Sequence, residues 1–286
     1  MPPDKLGTMR LRIDFGYDGT DFSGWAMQPG RRTVEQVLSE GLGTILRSDP
    51  PKLTVAGRTD AGVHARGAVC HVDVDDALYA ALPGRSTRSP REAAVSRLGG
   101  VLPGDVVVHR VTIAPGGFDA RFSAMSRRYS YRLVDEPATL DPLRRRDTVV
   151  VRGPLDVEAM DAAARKLLGL KDFAAFCKKR EGATTVRTLL DYRWHRDADG
   201  VLIGTVLADA FCHSMVRSLV GAVVPVGLGR HTEQWPAEVL TAGRRDPGVT
   251  VMAPHGLCLE EVSYPPDEEL ATRAEASRAV RTLPVD

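Results

Sequence analysis

Residues 56 to 64 read Ala-Gly-Arg-Thr-Asp-Ala-Gly-Val-His and bring a guanidinium (Arg58), a carboxylate (Asp60) and an imidazole (His64) into one short segment. Gly57 and Gly62 allow positive φ or close approach of a ligand, and the alanines leave room beside Asp60. A carboxylate displayed on such a loop can serve as a nucleophile or a base. The same composition also describes a surface turn in which Arg58 and Asp60 are solvated, so the segment alone leaves both readings open. In a second candidate, Arg127-Arg128-Tyr129-Ser130-Tyr131-Arg132, aromatics alternate with arginines. That pattern suits base stacking with phosphate contact, and equally a strand with tyrosines in the core and arginines outside. A third is Arg217, beside an apolar helical stripe of Met215, Leu219 and Val223. It is either a snorkelling surface arginine or a guanidinium that holds a carboxylate.

Other chemistries lack their residues. The Gly16–Trp25 loop is glycine-rich, but no Gly-Lys-Ser/Thr closes it into a phosphate-cradling loop. Gly227-Leu228-Gly229 lacks the third glycine and the preceding strand of a dinucleotide fingerprint. Cys70-His71 and Cys212-His213 are adjacent pairs that fit one tetrahedral ion poorly, and a hydrolase metal site from Asp60, His64 and His71 is weaker than structural roles for both histidines. A glycosidase needs a second carboxylate facing Asp60, and none is identifiable. Four dispersed cysteines with no C-x-x-C pair predict buried thiols rather than disulfides. No cofactor and no metal are expected.

At 286 residues the chain fits one large domain or two lobes, with a net charge of +1. Its cations cluster at Arg127-Arg128, Arg144-Arg145-Arg146, Lys178-Lys179-Arg180 and Arg244-Arg245, which can make a local basic face on a nearly neutral protein. No apolar run is long enough to span a membrane, and the opening MPPDKLGTMR lacks a signal peptide's apolar centre, so a cytoplasmic protein is expected.

The elements that must position these residues follow from periodicity. Alternation at 10–15 predicts a strand, and a capping box at Thr33 and Gln36 opens a helix that Asp49-Pro50-Pro51 ends. Residues 68–74 read as a strand, which puts Asp60 on the loop before it. Ser89-Pro90-Arg91-Glu92 opens a helix that stops at Gly99-Gly100, and valines at 105–113 make the next strand. Beyond residue 116 the pattern predicts a strand around Tyr129, a helix at 157–168 and a polar surface loop over 172–187. A hairpin turning at Asp199-Gly200, a helix from 211 to about 227 and a last strand at 256–264 complete it. The predicted fold is α+β, with largely antiparallel sheets. It divides into a loose terminus (1–8), a lobe carrying the Asp60 loop (9–115), a second lobe (116–264) and a charged tail outside the fold (265–286).

Taken together, five segments in order resemble the family of tRNA pseudouridine synthases that modify positions 38 to 40 of the anticodon stem-loop. They are Phe15-Gly16-Tyr17-Asp18-Gly19-Thr20 with Gly24-Trp25, Gly57 to His64, Phe118 to Tyr131, Phe211 to Gly221, and Ala253-Pro254-His255-Gly256-Leu257. The resemblance implies two ferredoxin- or RRM-like lobes around a central basic cleft. It makes Asp60 the catalytic aspartate, Tyr129 a stacking residue, Arg217 the aspartate's basic partner and Arg58 a wedge that replaces the displaced base. Arg121, Arg127, Arg128, Lys178 and Lys179 become contacts to the RNA. It further implies a homodimer acting on tRNA without a cofactor. A non-catalytic RNA-binding or RNA-chaperone protein with the same basic face is the alternative.

Overall fold

In the computed structural model, residues 7–178 and 184–278 are described. Lys179 and part of each expected terminal segment, 1–6 and 279–286, lie outside the described residues. The fold is mixed α+β with largely antiparallel pairing, and the chain divides into two compact units. One runs up to Met125 and includes Val262–Arg278; the other covers Ser126–Glu261. The division thus falls ten residues beyond the predicted one.

The first unit begins with β1 (Thr8–Tyr17), followed by α1 (Val34–Leu46), β2 (Thr54–Val55), β3 (His64–Asp75), α2 (Asp76–Ala80), α3 (Pro90–Val101) and β4 (Val106–Ile113). Strand β1 lies between β3 and β4, antiparallel to both, and β2 pairs with β3. Alternation along β1 buries Leu11, Ile13 and Phe15, and α1 buries Val34, Leu38 and Leu42, all apolar side chains removed from water. Near its end, Phe15 opposes Ala68 while Tyr17 opposes Ala65, so β3 carries one extra residue there. Such a bulge re-aims side chains at the strand end.

The capping box predicted at Thr33 and Gln36 does not form. Thr33 is the N-cap, but its hydroxyl is buried without a hydrogen-bond partner, and Gln36 Nε2 donates to Glu40 instead. The first-turn amides of α1 are satisfied from elsewhere: Val34 N–H donates to the Gly24 carbonyl at 3.2 Å and Glu35 N–H to that of Trp25 at 3.0 Å. The box predicted at Ser89 and Glu92 does form, with Pro90 at the first position of α3, although that helix continues through both glycines to Val101.

His71 on β3 is buried, and its Nδ1 accepts the Ala120 N–H at 2.9 Å. It is pushed down to about 4, first by burial and then by the Arg10 charge, while Asp119 and Asp73 pull the other way. The unfolded chain therefore takes up this proton first. Stability is full above the unfolded histidine value of roughly 6.5 and drains as pH falls, by about 2 kcal/mol between pH 7 and pH 5. His71→Gln keeps an acceptor for Ala120 and should remove most of that loss in urea melts at the two pH values; an unchanged pH slope would assign it to other groups.

The second unit comprises β5 (Ser126–Val134), β6 (Val149–Val150), α4 (Val157–Arg165), β7 (Gly169–Asp172), β8 (Val186–Arg196), β9 (Leu202–Ala208), α5 (Met215–Gly227) and α6 (Trp235–Ala242). Strand β10 (Leu257–Ser263) lies next to β5, and the order continues through β9 and β8 to β7. The pairings of β5 with β9, β9 with β8 and β8 with β7 are antiparallel; the short β6 joins β5 in parallel. Strand β7 was not predicted, and the segment read as a surface loop buries Phe173, Ala175 and Phe176. Cys177 and Cys212 form a disulfide with Cα atoms 5.7 Å apart, which corrects the expectation of buried thiols. Their separation of 35 residues offers no pairing signal in the sequence. Cys70 and Cys258 are buried and take no part in this disulfide.

The predicted tail is folded over much of its length. Helix α7 (Leu270–Ala276) buries Leu270 and Ala274, and Ser123 Oγ donates to the Leu270 carbonyl at 3.0 Å. Gly117 has φ +77°, and a Cβ there would come 2.6 Å from the Ala271 Cβ, so glycine is required beneath this helix.

Candidate active site

The Asp60 loop lies in the first unit between β2 and β3, and its backbone is held from several directions. Trp25 N–H donates to the Thr59 carbonyl at 3.1 Å, and Gly62 N–H to that of Phe22 at 3.2 Å. Val63 N–H closes the turn onto the Asp60 carbonyl at 3.2 Å, with Gly62 at φ +77°. The segment that grips the loop, 22–25, is the one whose carbonyls satisfy the start of α1. A rigid helix end is therefore linked to the aspartate through two short stretches of chain. Gly24 sits at φ +90°, where a Cβ would lie 2.9 Å from the Thr59 oxygen and 3.2 Å from the Asp60 carbonyl carbon. The result is a partly buried Asp60 next to an exposed Arg58.

His64, at the start of β3, is buried and structural. Gly19 N–H donates to its Nδ1 at 3.0 Å. Asp18 Oδ1 also lies 3.1 Å from that nitrogen, but both contacts cannot be hydrogen bonds at once. A backbone amide can only donate, so Nδ1 accepts from Gly19. Gly19 in turn packs against Val63, where any Cβ would collide with the carbonyl.

In the second unit the tyrosines of β5 are buried. Tyr129, Tyr131 and Leu133 share the inner face of β5, and Tyr129 remains only 6% exposed. The Phe211 ring meets Tyr129 edge-on at 5.1 Å between centroids. Tyr131 Oη donates to the Ala253 carbonyl at 2.7 Å, and burial pushes this phenol well above the ordinary tyrosine range against an opposing pull from Arg217. Arg217 is half-buried in the first turn of α5. Its Nε donates to the Met252 carbonyl at 2.6 Å, and Met252 N–H donates back to the Arg217 carbonyl at 3.2 Å. The guanidinium is thus tethered rather than snorkelling freely. Helix α5 starts at Met215, four residues later than predicted, after Ser214 at φ 62°, an uncommon conformation for a residue with a Cβ.

The predicted cationic residues divide by environment. Arg58 and Arg121 are exposed on the first unit, with the Arg121 guanidinium 5.1 Å from the Phe122 ring centroid. On the second unit Lys178 is exposed, and Arg128 reaches Glu261 at 2.8 Å. Arg127 is buried at 8% exposure and donates to the Asp209 carbonyl at 2.7 Å, just beyond the end of β9. Sequence reasoning missed Phe211 beside Tyr129, the Met252 carbonyl on Arg217, and Tyr17, whose hydroxyl meets that of Thr59 at 2.7 Å. Each joins segments far apart in the chain; the runs Phe15 to Thr20 and Phe211 to Gly221 offered a signal for Tyr17 and Phe211, and none pointed to the Met252 carbonyl.

A family model described as tRNA pseudouridine synthase matches residues 163–265. The chain is 56% identical over 280 residues to tRNA pseudouridine synthase A of Streptomyces griseus, covering 97% of this chain and 96% of the relative. It is 55% identical over 278 residues to the protein of that name from Frankia casuarinae, covering 97% of each. With the Mycobacterium leprae protein of the same name it shares 47% over 288 residues, 98% of each chain. Identity at this level across almost the entire length shows that the chain belongs to the tRNA pseudouridine synthase A family.

Proposed function

We propose that the protein isomerises uridine to pseudouridine in tRNA, at positions 38, 39 and 40 of the anticodon stem-loop. The observation that carries this reading is the 56% identity over 97% of the chain with a protein named tRNA pseudouridine synthase A. The Asp60 loop supports it, because the reaction needs one well-placed carboxylate. The bond from uracil N1 to ribose C1′ breaks, the base turns, C5 joins C1′, the C5 proton passes to solvent, and N1 takes up a proton in its place. Asp60 acts at the ribose, as nucleophile at C1′ or base at C2′. Arg217 is the cationic partner of this carboxylate in the same reading, with a planar fork that can orient it.

Taking the target base out of the stem costs a few kcal/mol, and stacking on Tyr129 returns about 1 to 3 kcal/mol. Arg58 fills the vacated space. Arg121, Arg128, Lys178 and Lys179 follow the RNA backbone in this reading, and Arg127 supports the strand that carries Tyr129. The RRM-like lobes, the basic cleft between them, the homodimer sharing each tRNA and the cytoplasmic setting belong to the same proposal.

The test uses tRNA tritiated at uridine C5, with chelator present and no added cofactor. Tritium release, with pseudouridine mapped to positions 38–40 by carbodiimide-blocked primer extension, is the expected result. Tight tRNA binding without release would leave a non-catalytic RNA-binding protein, and release mapped elsewhere would move the site.

A further inference from the structure

Between the end of β1 and the Asp60 loop lies a buried polar contact that the isomerisation chemistry does not use. Tyr17 Oη and Thr59 Oγ1 are 2.7 Å apart, with Tyr17 6% and Thr59 8% exposed. A buried hydroxyl pair of this kind is favoured because each oxygen meets a polar partner in place of water. The Tyr17 ring is itself confined, stacked on Phe15 at 6.0 Å and edge-on to Phe22 at 6.4 Å. The extra residue in β3 shifts the register at this point, and Gly16 approaches closely enough that a Cβ would lie 2.9 Å from the Ala65 oxygen. The strand end is thus built to aim one phenol at the residue before Asp60.

We infer that Tyr17 and Thr59 are positioning residues, which hold the Asp60 backbone in its reactive placement through their hydroxyl–hydroxyl bond. Thr59 is tied at two atoms: Oγ1 to Tyr17, and its carbonyl to the Trp25 amide at 3.1 Å. Two ties to different segments remove the rotation about the Thr59 backbone that would swing the next residue. A carboxylate that attacks a single ribose carbon loses rate steeply with displacements of a fraction of an ångström. The inference rests on the proposed role of Asp60.

The test compares Tyr17→Phe, Thr59→Val and Thr59→Ser in the full chain, reading the single-turnover rate at saturating tRNA separately from tRNA affinity. Tyr17→Phe and Thr59→Val should each slow the rate about tenfold with affinity within about twofold. Thr59→Ser restores the hydroxyl and should recover most of the rate. The double variant Tyr17→Phe/Thr59→Val should be no slower than either single, because one bond is lost in all three. Wild-type rates in Tyr17→Phe, or multiplied losses in the double variant, would overturn the inference. A purely structural role would lower the melting temperature and the active fraction while leaving the rate per active site unchanged. Asp60→Asn measured in parallel separates the two failures. If it is inactive while Tyr17→Phe is normal, only the positioning role falls; if it is active, the Asp60 reading falls first.

Discussion

Asp60→Asn is expected to lower the rate of pseudouridine formation by about four orders of magnitude or more, while tRNA affinity changes by less than about threefold. The substitution preserves the side chain's shape and leaves intact the backbone ties of the loop, which use the Thr59 and Asp60 carbonyls and the Gly62 and Val63 amides. What changes is the charge. A neutral amide neither attacks C1′ nor accepts a proton from C2′, so both routes at the ribose close together. In the proposed reading, binding rests on stacking and cation contacts that Asn does not remove. A rate within tenfold of wild type would assign the chemistry to another group, and a parallel collapse of binding would mean the carboxylate organises the RNA surface.

Gly221→Ala should destabilise the fold by about 3 kcal/mol and slow turnover about a hundredfold. Gly221 lies inside α5, one turn beyond Arg217, and a Cβ there would sit 1.6 Å from the Thr250 carbonyl oxygen. No rotamer relieves a backbone collision, so the 248–252 segment must move. That segment ends in Met252, whose carbonyl accepts from Arg217 Nε and whose amide donates to the Arg217 carbonyl. Displacing it releases the guanidinium from its tether. The site has little slack for repair, because Pro225 already denies the Gly221 carbonyl its helical amide partner. Thermal melts and single-turnover rates on the same preparation check both parts; a lowered melt with normal turnover would show that Arg217 needs no support from Met252, and an unchanged melt that the 248–252 segment absorbs the added Cβ.

Legibility differs between these two sites for physical reasons. The Asp60 loop was readable because small residues, glycines and a carboxylate are adjacent in the chain, so composition and conformation are coupled locally. The tether of Arg217 was not, because Met252 contributes a backbone carbonyl, and any residue type has one. The same distinction explains the errors at α1 and β7. Thr33 and Gln36 have the residue types of a capping box, yet Gln36 turns to Glu40, and the Val34 and Glu35 amides that open the helix are satisfied by the Gly24 and Trp25 carbonyls. Residues 169–172 are too few and too polar to show alternation, and become a strand only because β8 offers an unpaired edge.

What the sequence determined by itself is the local part: the α+β alternation, the amphipathic helices, the Ser89 cap, the placement of Asp60 ahead of a strand, and five ordered motifs that identify the family. Periodicity and turn chemistry act over a few residues, and those few residues are adjacent in the chain. Tertiary structure alone decided which polar groups meet. It spends Arg127 inside the second unit, joins Cys177 to Cys212, folds α7 back onto the first unit, and sets Tyr17 against Thr59. Such contacts depend on two distant segments arriving together, and that is a property of the packed chain, with no trace in residue spacing.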